Sequence, residues 1–107
     1  MEIEEYLDAE GHSPFGHWFD ALEAVAAARV TIALTRAAQG NLANAKSVGG
    51  GVSEIRLDFG SGYRIYFGRD GMRLIVLLAG GTKKRQQRDI EAAKDRWAEY
   101  KRHKRKS

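Results

Sequence analysis

Residues 54–67 read Glu54-Ile55-Arg56-Leu57-Asp58-Phe59-Gly60-Ser61-Gly62-Tyr63-Arg64-Ile65-Tyr66-Phe67. Ile55, Leu57 and Phe59 alternate with Glu54, Arg56 and Asp58; beyond Gly60-Ser61-Gly62, the residues Tyr63, Ile65 and Phe67 alternate with Arg64 and Tyr66. Successive side chains of a strand point to opposite faces, so the stretch spells a tight β-hairpin with one apolar and one charged face. A turn over residues 60–62 sets Phe59 opposite Tyr63, Arg56 opposite Tyr66 and Asp58 opposite Arg64. The expectation is an apolar face for a core and an open face carrying two arginines, a tyrosine and two acids. An open basic and aromatic sheet face is a place where RNA can lie.

On the N-terminal side, residues 2–8 read as a short strand with Ile3 and Leu7 on one face. Ser13-Pro14 is a helix start, with serine as the cap and proline at the first helical position. Phe15, Trp18, Phe19 and Leu22 follow at i, i+3, i+4 and i+7, a spacing that suits core residues better than a ligand site. A second helix runs from residue 22 or 23 to 39 and stops at Gly40; the sequence leaves open whether the two helices are continuous or bent near residue 24. Residues 40–51 read as a connector. Its Gly49-Gly50-Gly51 lacks the lysine and hydroxyl residue of a phosphate-binding loop, so it is read as a hinge or turn.

On the C-terminal side, Gly68-Arg69-Asp70-Gly71 is a turn into Leu74-Ile75-Val76-Leu77-Leu78-Ala79, apolar at every position as in a strand buried on both faces. Gly80-Gly81-Thr82 ends that strand and leads to an amphipathic helix with Ile90, Ala93 and Trp97 on one side. The order is β-α-α-β-β-β-α: an α+β fold over residues 1–100 with a small, mainly antiparallel sheet, two helices before the hairpin and one after it. Residues 101–107 form a basic tail, either a solvated end or an arm that attracts phosphate.

The 107 residues fit one domain, and a 43% hydrophobic share is ample for one core. Lys and Arg number 18 against 14 acids, a net charge of +4 that favours an anionic partner. The lack of cysteine excludes disulfides, thiol catalysis and thiolate zinc sites. His12, His17 and His103 are too scattered to suggest a metal site, and no cofactor is expected. No apolar run approaches the roughly 20 residues of a membrane span. The start Met1-Glu2-Ile3-Glu4-Glu5 lacks the features of a signal peptide, so a cytoplasmic protein is expected.

The element order joins with several short motifs: Gly51-Val52-Ser53-Glu54-Ile55-Arg56, Gly62-Tyr63-Arg64-Ile65-Tyr66-Phe67, Leu77-Leu78-Ala79-Gly80-Gly81-Thr82-Lys83-Lys84 and Gln86-Gln87-Arg88-Asp89-Ile90. Together, across nearly the whole chain, they resemble the RelE/ParE toxin superfamily, and within it the HigB-like addiction module killer subfamily. The resemblance implies a type II toxin of bacterial or phage origin. RelE toxins enter the ribosomal A site and cut mRNA. An antitoxin from a neighbouring gene, in the HigB-like subfamily usually with a helix-turn-helix domain, holds the toxin in check.

Cutting RNA through its own 2′-hydroxyl needs a base for the 2′ proton, a group to stabilise phosphate charge and an acid for the leaving 5′ oxygen. Arg64 follows Gly-Tyr at the start of a strand, where RelE toxins carry a functional arginine; a guanidinium suits charge stabilisation. Arg56 is assigned to phosphate, in the place of a basic residue that RelE uses in proton transfer. Lys83 is the expected general acid, since lysine lowers its pKa when crowded by cations. Lys84 and Arg85 are phosphate contacts, and Tyr66 stacks on a base or covers the arginine stems. Glu54 is a base or, more simply, a partner of Arg56. The chain departs from its relatives in three ways: Asp89-Ile90 stands where RelE has a tyrosine, Thr82 where the HigB-like pattern often has Asp, and the histidines of some HigB toxins are absent. Two other functions fit the same resemblance: gyrase inhibition of the ParE kind, and RNA binding without cleavage.

Overall fold

The computed structural model describes the backbone of residues 1–106 and the side chains of residues 1–104. Its elements are β1 (Glu2–Glu5), α1 (Pro14–Asp20), α2 (Ala24–Ala38), β2 (Ala45–Gly49), β3 (Val52–Leu57), β4 (Tyr63–Asp70), β5 (Leu74–Thr82), a 3-10 turn (Lys83–Arg85) and α3 (Gln86–Lys106). Among the described residues the strands form one five-stranded sheet in the order β1-β5-β4-β3-β2. β1 runs parallel to β5, with Ile3 beside Ile75, and every other neighbouring pair is antiparallel. The expected α+β architecture is present. β5 lies between β1 and β4, and residues 75–79 are all buried, as their unbroken apolar run requires.

The connector expected over residues 40–51 contains a strand that the sequence reading missed. Ala45–Gly49 pairs with β3 as an edge of the sheet, and its polar, largely exposed residues carry no apolar alternation to reveal it. β1 is shorter than residues 2–8, ending at Glu5. α1 and α2 are separate helices. The first starts at Ser13, whose Oγ accepts from Gly16 N at 2.9 Å, and the second is preceded by an extended Glu23. β5 runs through Gly80-Gly81 to Thr82 instead of stopping at Ala79.

The hairpin register differs from expectation by two residues. Arg56 faces Arg64 and Glu54 faces Tyr66, in place of Arg56 facing Tyr66 and Asp58 facing Arg64. The loop is longer than three residues: Phe59 N donates to Leu57 O, Gly62 N donates to Phe59 O, and Gly60 and Gly62 take positive φ. Asp58 and Phe59 leave the ladder with this loop. A shift of two keeps every side chain on its expected face.

Helices cover both faces of the sheet, so the charged face is not open. On one side Phe15 and Val30 of α1 and α2 meet Ile55, Ile65, Phe67, Ile75 and Leu77. On the other, Ile90, Ala93 and Trp97 of α3 meet Val52, Tyr66, Val76 and Leu78. The apolar stripe of α3 needs an apolar surface to bury. The glycines admit it: a methyl group at Gly68 or Gly51 would stand 2.5 or 2.6 Å from the Trp97 ring. The far end of α3 is tied down by the Tyr100 hydroxyl and Lys104, which both donate to Asp70. In the basic tail, Lys101 lies over the Trp97 ring and Arg102 pairs with Glu99. The side chains of Arg105 and Lys106, and Ser107, lie outside the described residues.

Candidate functional site

The charged residues of β3 and β4 form a buried network beneath the start of α3. Arg64 Nε donates to Glu54 Oε1 at 3.0 Å, and Arg64 Nη1 donates to the Gly62 carbonyl at 3.1 Å. The Gln86 amide donates to Glu54 Oε2 at 3.3 Å. Arg64 is 4% exposed and Glu54 3% exposed. The register explains the pairing. Glu54 lies opposite Tyr66, so Arg64 is its diagonal neighbour on the same face, within reach of a long side chain. Glu54 thus pairs with Arg64, not with Arg56. The Gly62 carbonyl also accepts from the backbone N–H of Lys83 at 3.1 Å. One carbonyl therefore joins the guanidinium of β4 to the exit of β5, placing Arg64 and Lys83 on either side of Gly62.

Tyr66 and the half-buried Asp89 complete this face. Tyr66 is fully buried and its hydroxyl has no hydrogen-bond partner among the described residues. Burial pushes its pKa up to about 12, with the Glu54 and Asp89 carboxylates adding to the rise. A ring without exposed surface has no face for a base, so the stacking role expected of Tyr66 does not fit this arrangement. Asp89 leans across β5 at Gly81, where a methyl group would stand 2.0 Å from Oδ2. Burial raises its pKa above the ordinary carboxylate value.

The lone Tyr66 hydroxyl gives a direct expectation. An unsatisfied buried hydroxyl costs about 1–3 kcal/mol, so Tyr66→Phe should leave stability unchanged or raise it by about 1 kcal/mol in chemical denaturation. The pH dependence follows the same group. With the folded pKa raised from 10.0 to about 12, stability is intact below pH 10 and falls as pH climbs towards 12. Tyr100, hydrogen-bonded to Asp70, is also raised to about 12 and acts in the same window. Tyr66→Phe should therefore shrink the alkaline loss without abolishing it, which denaturation series between pH 9 and 12 would show.

The remaining candidates lie around the rim. Lys83, Lys84 and Arg85 are all exposed in the 3-10 turn that leads into α3. A helix start favours negative charge, so three cations there give up dipole stabilisation and suit an anion from solution. Arg56 is exposed opposite buried Arg64. Arg64 and the Lys83 backbone thus meet at Gly62, Arg56 lies opposite Arg64 on the neighbouring strand, and Lys84 and Arg85 follow Lys83 in sequence. The sequence reading missed Gln86 and Asp89 as parts of this face. The adjacent Gly80-Gly81 inside an apolar strand was the signal that helices press on both sides of it.

On the flank of α1, His12, His17, Asp8, Asp89 and Arg96 line a cleft of about 540 Å³. Among the described residues no group of three His, Asp or Glu side chains is placed to hold a metal ion. No described helix is long and apolar enough to cross a membrane.

The sequence is similar to known proteins. Residues 17–98 match the family described as phage derived protein Gp49-like (DUF891), a span holding β3, β4, β5 and the start of α3. A Haemophilus influenzae protein that carries only the designation uncharacterized protein is 38% identical over 81 residues, covering 75% of this chain and 82% of that protein. With the match spanning the whole network from Glu54 to Asp89, the chain belongs to the Gp49-like phage-derived family, a toxin-like family of type II toxin–antitoxin systems.

Proposed function

We propose that this chain is the toxin of a type II toxin–antitoxin pair, of the RelE/ParE superfamily and its HigB-like branch. In this reading it is a ribosome-dependent endoribonuclease that blocks translation by cutting mRNA in the A site. The observation that carries it is the junction at Gly62, whose carbonyl holds both the Arg64 guanidinium and the Lys83 backbone. Its partners are mRNA on the ribosome and an antitoxin, expected to carry a helix-turn-helix domain, and its place is the cytoplasm. The domain proper is residues 1–100, with 101–107 as a basic tail.

The chemistry divides among the named groups. The RNA 2′-oxygen attacks the adjacent phosphorus, its proton passes to a base, and the 5′-oxygen leaves with a proton from an acid. Arg64, held by Glu54 and Gly62, keeps its Nη2 for a phosphate oxygen and stabilises the charge that builds there. Arg56, Lys84 and Arg85 hold phosphates. Lys83 is the general acid. Both Glu54 oxygens are engaged by Arg64 and Gln86, so Glu54 positions the guanidinium. The raised carboxyl of Asp89 suits proton transfer closer to neutral pH than an ordinary aspartate.

The burial of Arg64 favours a second reading, in which the Glu54–Arg64 pair is structural and the chain binds RNA or gyrase without cutting RNA. Induced expression in a bacterial host separates them. Growth arrest with new mRNA 5′ ends inside translated codons supports the nuclease. Arrest with relaxed DNA and intact mRNA points to gyrase, and no arrest points to binding alone.

A further inference from the structure

A cleft of about 940 Å³ lies between α2, the residues before β2 and the outer edge of β3. β2 begins opposite Ile55, so beyond that point β3 and the hairpin loop have no neighbouring strand on this side. The cleft takes in Ile55 and Leu57, which face α2, and also Glu54 and Arg56, which belong to the face of Arg64. It therefore wraps around the edge of the sheet and meets the candidate active face at Arg56.

Four cations line it: Arg29, Arg36, Lys46 and Arg56. All are exposed, and none forms an ion pair with a carboxylate among the described residues. Arg29 lies over the Phe59 ring at 4.7 Å from its centre, which holds a cation and an aromatic surface at the same wall. Of the acids there, Glu54 is already paired with Arg64, which leaves Asp58. Unpaired cations gathered around a cavity repel one another and are relieved by an anion. Arg29 and Arg36 are seven residues apart on α2, about 10.5 Å along the helix, too far for one phosphate and suited to a chain of them. Guanidinium groups match phosphate oxygens in pairs, and the exposed Asn44 amide at the cleft offers donors and an acceptor for base edges.

We propose that this cleft is a second nucleic-acid contact. It binds the phosphates of a single RNA strand through Arg29, Arg36 and Lys46 and guides the strand past Arg56 to the candidate active face. The proposal deepens the reading of the chain as an RNA-acting toxin. The cleft extends the contact from the α3 rim to the opposite face of the sheet.

The test is binding of a fluorescein-labelled single-stranded RNA, followed by anisotropy across a salt series. It compares wild type, Arg29→Ala/Arg36→Ala/Lys46→Ala, and a control of equal charge loss away from the cleft, Arg69→Ala/Arg73→Glu. Thermal melting first confirms that both variants fold; if the cleft variant melts early, its single substitutions are read instead. The cleft variant should bind at least about tenfold more weakly. Its slope of log affinity against log salt should fall by about 2, as three lost contacts at about 0.7 each predict. The control should change affinity by less than about threefold. Equal weakening in both variants, unchanged affinity in the cleft variant, or a wild type that does not bind RNA would overturn the proposal. So would a cleft variant that keeps RNA but loses polyglutamate, which would make the surface a docking site for an acidic protein. Cleavage is scored separately. Cleft-dependent binding without cutting would sink the nuclease and leave the cleft, whereas cutting with a dispensable cleft would do the reverse.

Discussion

Arg64→Ala should lose RNA cleavage altogether and destabilise the fold by about 3–5 kcal/mol. Both effects have one origin. The Arg64 side chain is 5% and that of Glu54 4% exposed, so removing the guanidinium strands a carboxylate away from water. It also removes the donor to the Gly62 carbonyl, leaving the Lys83 backbone as that oxygen's partner. A loss of activity in this variant would be ambiguous alone, since an unfolded protein cuts nothing. Arg64→Met/Glu54→Gln resolves the ambiguity, because it removes both charges while keeping side chains of similar length. It should recover more than half of the lost stability in urea denaturation and remain inactive. If Arg64→Ala unfolds at the wild-type urea concentration, the buried pair does not hold the sheet. If the double variant cuts RNA, the guanidinium is not part of the chemistry.

The second large effect belongs to Gly80. A methyl group there would stand 2.0 Å from Trp18 Cε3 and 2.3 Å from Cδ2, well inside contact distance. The half-buried indole is flanked by Phe15 and Tyr63 at ring-centre distances of 5.6 and 6.4 Å, which oppose its displacement. Gly80→Ala should therefore cost about 3 kcal/mol, at the upper end for overpacking. Trp18→Leu removes the obstructing ring, so the double variant should be more stable than the sum of its parts by at least about 1 kcal/mol. Additive costs in that cycle would mean that the strand and α1 do not meet at this point. Gly81 faces the other way, towards Asp89 of α3. The two glycines together let helices approach β5 from both sides at the strand's exit, where Lys83 begins.

Much of this was legible in the residues. The alternation from Glu54 to Phe67 sorted each side chain onto its face, and a register error of two left that sorting intact because the strand period is two. Ser13-Pro14 and the run of residues 74–79 marked a helix start and a doubly covered strand. What failed was long-range. A polar edge strand such as Ala45–Gly49 carries no hydrophobic signal. The covering of Glu54, Arg64 and Tyr66 by α3 depended on where that helix lands, which its own amphipathic pattern does not say. For the same reason Gln86 and Asp89 could not be joined to residues more than twenty positions away in the chain. The family resemblance implied one site for Arg64 and Lys83; in the fold, the Gly62 carbonyl accepts from both the Arg64 guanidinium and the Lys83 backbone.

A reconstituted reaction decides whether this face cuts RNA and whether the Lys83 side chain takes part. Lys83 is exposed, so Lys83→Ala should fold as wild type does, and it tests the site without the stability loss expected of Arg64. Purified bacterial ribosomes holding a defined mRNA with an empty A site would receive wild type or Lys83→Ala, and the RNA 5′ ends would be mapped by primer extension. The expected result is a new cut within the A-site codon with wild type, slowed at least about a hundredfold by Lys83→Ala and absent without ribosomes. Intact mRNA with a folded wild-type protein would contradict the assignment of this site to RNA cleavage.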